Sequence, residues 1–227
     1  MASNVQHGVN RSRPSAGSLC AAFLEELPVT GASISMFATN GLPSTLCASD
    51  AVAARSEALQ FELGEGPHWE AMGLRAAVLC SDIRAGTTAW PLWANAAAEL
   101  GVVGSFAFPM IMGAAVVGVV DLYSRMPFVM DSVLVDRAGA LAQATTASAM
   151  RRATQLADDP VAQEVALAPA LRREVHQATG IILFQLGISA TDAFARLRAY
   201  SFAIGRPVID VARDVVERRL DFAALPD

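Results

Sequence analysis

The chain has 227 residues, of which 17 are basic and 22 acidic, for a formal charge of −5; 53% are hydrophobic and 17% charged. This apolar content excludes a long disordered protein, and the length suits one or two domains. Every basic residue is an arginine, so a lysine nucleophile, a Schiff base and a phosphate-loop lysine are all excluded.

Cys20, Cys47 and Cys80 are odd in number and widely spaced. They argue against a disulfide framework or a structural zinc site and for a reducing, cytoplasmic compartment. The first eighteen residues are polar and do not read as a secretory signal. The stretch from Gly101 to Val120 carries no charge and is long enough to span a bilayer. Pro109, Gly113 and the acidic flanks Glu99 and Asp121 instead read as strands, and no membrane partner is expected.

In chain order, a short helix is predicted over 17–27. A strand follows over 32–39, with Ile34, Met36 and Ala38 on one face. Asn40–Pro43 is a turn signal. A strand over 45–49, one or two short helices within 56–72, a strand over 77–83 and a helix over 90–100 come next. Strands over 106–112 and 115–123 form a hairpin around Gly113. A long helix is predicted over 130–156, with Leu134, Ala138, Leu141, Thr145 and Ser148 along a seam that could serve a dimer. Asp158-Asp159-Pro160 marks a break.

No further strand is expected. The first C-terminal helix begins at Val161 or Ala170 and ends at Leu186, with Leu171, Val175, Ala178 and Ile182 inward. Gly187 suits its left-handed end, and Ser189 with Asp192 three residues on reads as an N-cap. A second helix reaches Ile204, with Ala193, Leu197, Tyr200 and Ile204 inward. Pro207 opens a third, striped by Val208, Val211, Ala212, Val215 and Val216. The fold class is therefore α+β: an antiparallel sheet flanked by helices, a long linking helix and a C-terminal three-helix bundle. The expected parts are a tail at 1–14, a sensor domain at 15–150, a linker at 151–165 and the bundle at 166–222. Within 166–220 eight arginines stand against five acids, a local basic excess.

The segment from Gln177 to Leu183, followed by Gly187–Ser189, Ala193-Phe194, Leu197-Arg198 and Asp210–Ala212, resembles the ANTAR domain. Leu63–Pro67, the Trp90-Pro91 helix start and the Val116–Ser124 strand resemble a GAF domain. The resemblance implies an RNA-binding transcription antitermination regulator. In it, a small-molecule-sensing GAF domain would control a dimerising ANTAR domain that holds paired hairpin loops. The ANTAR family usually has lysine, methionine and alanine where this chain has Thr179, Leu183 and Ser201. Losing the lysine would remove one phosphate contact.

The RNA-binding candidates are Arg172, Arg173, Gln177, Thr179, Gly180, Arg196, Arg198, Tyr200 and Arg206, since arginine pairs with phosphate and aromatic rings stack on loop bases. Tyr200 suits the bundle core equally. Gly180, costly inside a helix, points to a close approach of RNA or another helix. His68, Trp69 and Phe106 are the candidate ligand-pocket residues. No metal site, cofactor or catalytic group is expected; Cys47 and Cys80 do not have the spacing of the methionine sulfoxide reductases built on the GAF fold. The alternative function is a signal-sensing protein-interaction module that has lost RNA binding.

Overall fold

The computed structural model of the protein describes residues 19–37, 43–86, 89–157 and 170–225. The expected N-terminal tail, most of the 40–43 turn and the 158–160 break lie outside them. Helix α1 (Ala21–Glu26) leads into strands β1 (Gly31–Phe37) and β2 (Pro43–Ala48), then helices α2 (Ala51–Leu63) and α3 (Pro67–Leu74). Strand β3 (Val78–Cys80), helix α4 (Pro91–Glu99), strands β4 (Gly104–Met112) and β5 (Ala115–Ser124) and the long helix α5 (Ser132–Ala157) complete the α/β part. Helices α6 (Ala170–Leu186), α7 (Ala190–Ala203) and α8 (Val208–Val216) form the bundle. The predicted 77–83 strand is shorter than expected, because Asp82 caps a single 3-10 turn over Ile83–Ala85.

The five strands order as β2-β1-β5-β4-β3, every pair antiparallel. Residues two apart share a sheet face. Ala32, Ile34 and Met36, Phe106, Phe108 and Met110, and Val120 and Leu122 therefore all face one way. They pack with Phe23 of α1 and with Ala138, Ala142 and Ala149 of α5. The other face carries Val78, Ala107, Val119 and Tyr123 against Leu59, Ala71, Trp93 and Ala97 from α2, α3 and α4. The α5 seam expected to serve a dimer lies on the sheet: Ala138 is fully buried, and Leu134 and Leu141 pack against the same core. Its alternation of small and aliphatic residues fits a flat strand surface.

Cys20 and Cys47 form a disulfide, against the expectation of free thiols, and tie α1 to β2. Sequence spacing carried no sign of it, because the 26 intervening residues fold back through β1 to bring the two cysteines together. Cys80 is free, and burial pushes its thiol pKa up. Among the described residues no helix is long and apolar enough to cross a membrane. The uncharged 101–120 stretch is β4 and β5.

In the bundle, Gly187 (φ 65°) ends α6, and the Ser189 hydroxyl accepts from the Asp192 backbone amide at 3.1 Å, as the cap signals imply. Val175, Ala178, Ile182, Ala193, Leu197, Val208, Val211, Ala212 and Val215 fill the core. One inward position differs from expectation. Ile204 is 42% exposed, because α7 ends at Ala203 and the chain turns away. Its place inside is taken by Ser201, whose hydroxyl donates to the Leu197 carbonyl at 2.7 Å. A 3-10 turn, Phe222–Ala224, adds Phe222 to the core.

Candidate functional site

Helix α6 has two faces set by its 100° step. One carries Val175, Ala178 and Ile182 inward. On the other, Gln177, Gly180, Ile181 and Phe184 follow at i, i+3, i+4 and i+7. With Val216 from the end of α8 they line an open groove of about 500 Å³. A Cβ on Gly180 would meet nothing within 4 Å among the described residues, so no described helix approaches it. Phe184 is 87% exposed, and Phe202 on α7 is 85% exposed. Neither aromatic is among the contacts expected from the sequence. Their signal was a large ring one or two residues off the inward stripe.

The groove brings together Gln177 and Gly180 of the predicted contacts. Thr179 departs from the prediction. It is buried, and its hydroxyl donates to the Val175 carbonyl at 2.7 Å. At one residue past Ala178 it falls on the core side of the helix. A hydroxyl bonded to the preceding turn can be buried there. Tyr200 is half-buried, its ring edge-on to Phe222 at 5.3 Å. The side chains of Arg172 and Arg173 lie outside the described residues.

The described arginines do not make one basic surface. Arg206 pairs with Asp214 at 2.7 Å, and Arg219 reaches the same carboxylate at 2.6 Å. The two guanidinium groups hold the Asp214 carboxyl below its ordinary range, with Arg219 contributing most. Arg219 also pairs with Glu217. Arg213 bridges Glu174 of α6 at 3.2 Å and Asp210 at 3.4 Å. Arg196 is exposed and forms no ion pair among the described residues.

Arg198, the arginine carried by the ANTAR resemblance, is turned away from solvent toward the α/β part. Its guanidinium carbon stands 4.0 Å from the centre of the Trp69 ring. Nε and Nη2 donate to the Gly64 carbonyl at 3.4 and 3.2 Å. Burial pulls its pKa down to about 10, so the buried group is still a cation at neutral pH. Gly64 is the left-handed cap of α2 (φ 70°), and a Cβ there would stand 2.5 Å from Val208 Cγ2. Only glycine permits both the turn and the close passage of α8. Trp69 also packs on Phe194 with ring centres 5.4 Å apart, and Phe61 and Trp69 join the bundle residues in one apolar core.

The three predicted pocket residues are not brought together. His68 and Trp69 sit on α3 over the β5 face that carries Asp121, while Phe106 points to the opposite sheet face, edge-on to Phe128. The even spacing of Phe106 from Phe108 and Met110 assigns it there. His68 is fully buried. Its Nδ1 lies 2.8 Å from Asp121 Oδ2, so the carboxylate accepts and Nδ1 carries the proton. Gln60 completes the network: Nε2 donates to Asp121 Oδ1 at 3.2 Å, and Oε1 accepts the His68 backbone amide at 2.8 Å. The Trp69 indole N–H donates to the Gln60 carbonyl at 2.7 Å. His68 Nε2 and Ser35 Oγ are buried without a hydrogen-bond partner. Among the described residues no group of three His, Cys, Asp or Glu is placed to hold a metal ion.

No curated protein matches the chain. Solved structures resembling it include the GAF domain of a phosphoenolpyruvate-protein phosphotransferase from Coxiella burnetii, at 16% identity and TM-score 0.48, covering 63% of this chain and 89% of that one. The GAF domain of the cyanobacteriochrome TePixJ is 23% identical at TM-score 0.47, covering 61% and 88%. A GAF domain/HD domain protein from Geobacter sulfurreducens is 13% identical at TM-score 0.45, covering 59% and 88%. The C-terminal helices match a described family directly. Residues 163–216 of this chain match the family model described as the ANTAR domain.

Proposed function

We propose that the protein is an RNA-binding regulator of transcription antitermination. In this reading the GAF-like part senses a small molecule and controls an ANTAR domain that holds paired hairpin loops as a homodimer. The carrying observation is the ANTAR match at 163–216, over a bundle whose α6 leaves Gln177, Gly180 and Phe184 uncovered on one face. An open ring beside an amide and a helix position with no side chain suits an unstacked loop base, which is read by stacking and by edge hydrogen bonds. Arg196 supplies an exposed cation on α7, free of ion pairing among the described residues.

Binding of an RNA with two six-base hairpin loops, compared with a scrambled control over a salt series, tests the reading. The expected result is preference for the paired hairpins and affinity that falls steeply with salt. Equal binding of both RNAs supports a second reading: a protein-interaction module without RNA recognition. Specific observations favour that alternative. Arg206, Arg213 and Arg219 are occupied by carboxylates, and Thr179 is turned inward.

A further inference from the structure

Arg198 is a cation withdrawn from water whose observed partners are all neutral: the Trp69 ring and the Gly64 carbonyl. A buried guanidinium held without a carboxylate forgoes its strongest class of partner, the paired anion. The rest of the interface is apolar, with Phe61 and Trp69 from α2 and α3 sharing a core with Phe194, Leu197 and Val208 of α7 and α8. The α7 face that carries Arg198 is therefore spent on the bundle's own neighbour.

We propose that Trp69 and Gly64 form an autoinhibitory latch that holds the ANTAR bundle by Arg198 in a state unable to use that arginine on RNA. The inference rests on the RNA-binding reading above. Phosphate competes with the latch directly, because it supplies the negative charge that the carbonyl and the ring lack. The sensor side can also reach the latch. Gln60 ties the Trp69 indole to the His68–Asp121 pair, so a change in that buried network moves the ring under the guanidinium. Opening the latch raises the fraction of molecules competent to bind, and the apparent affinity follows that fraction.

The test uses the full chain and the paired-hairpin RNA at one salt concentration, with amide hydrogen exchange of residues 190–203 as a second readout. Trp69→Leu keeps a smaller apolar side chain at the site and removes the ring face. It is expected to speed exchange in α7 and to tighten RNA binding by about tenfold. Trp69→Phe keeps a weaker ring, guards against misfolding of the first variant, and is expected to move both readouts the same way by less. Faster α7 exchange with unchanged affinity, or no change in either readout, overturns the latch. Failure of the underlying reading looks different: wild type and variant then bind paired and scrambled RNA equally although α7 has been released.

Discussion

The imidazole of His68 donates through Nδ1 to the Asp121 carboxylate at 2.8 Å, and both residues are held by Gln60. This is a buried polar bridge between helix α3 and the central strand β5. Asp121→Ala would leave the His68 N–H and the Gln60 amide without an acceptor. The expected loss is about 2–4 kcal/mol, since stranded buried donors cost about 1–3 kcal/mol each and part of that is relieved by relaxation. Urea unfolding followed by circular dichroism measures it; a loss under about 0.5 kcal/mol, the size of an ordinary surface change, would show the bridge to be dispensable.

The Cys20–Cys47 disulfide closes a loop with a sequence separation of 27. A loop of that size is expected to contribute about 3 kcal/mol by restricting the unfolded chain. Cys20→Ser with Cys47→Ser should lower the urea midpoint by the corresponding amount, and a thiol reductant should do the same to the wild type but not to the double variant. Free-thiol counting under denaturing conditions should find one reactive cysteine, Cys80, before reduction.

Tyr123 is buried on the sheet, and its hydroxyl donates to Asp50 at 3.1 Å. Burial first, and the Asp50 charge second, push its pKa up to about 12. An unfolded tyrosine ionises near pH 10. The folded state therefore keeps a proton that the unfolded state releases. The stabilisation is whole below about pH 10 and is lost as pH rises through about 12. Stability measured across this alkaline window should fall in the wild type and fall less in Tyr123→Phe. Equal slopes would remove Tyr123 from the cause.

Gly180→Ala separates helix stability from recognition. A methyl there meets nothing within 4 Å. The variant should gain up to about 1 kcal/mol in stability from helix propensity alone. The proposed RNA reading requires the opposite sign in binding, a weaker complex, because the methyl enters the open face of α6. A more stable protein with unchanged RNA affinity would move the contact surface elsewhere.

Thr179→Lys, which restores the residue common in the family, is expected to destabilise the bundle. The Thr179 position is 1% exposed and its hydroxyl is bonded within the helix. Placing an ammonium stem there should cost about 2 kcal/mol or more through overpacking and desolvation. A thermal scan decides it, and an unshifted or raised Tm would mean that the lysine escapes to the surface.

Much of the architecture was written in local pattern. The strand alternation of Phe106, Phe108 and Met110 and the valine stripe of Val208, Val211 and Val215 depend only on side-chain period, and the caps at Gly187 and Ser189 depend on neighbours within a few residues. These features specify a sheet, a hairpin and three helices without reference to any long-range contact. The ANTAR motif likewise rested on residues close together in the chain.

What required the tertiary structure were relationships between residues far apart. The Cys20–Cys47 bond, the turning of Thr179 into the core, the exposure of Phe184 and Phe202, and the capture of Arg198 by Trp69 and Gly64 carry no periodic signal. Arg198 and Gly64 are separated by 134 positions, and no rule of local spacing ranks a ring and a carbonyl above a phosphate as an arginine's partner. Backbone period determines which way a side chain points. Only the packed chain determines what it finds there, because burial and pairing are properties of the whole surface that folding brings together.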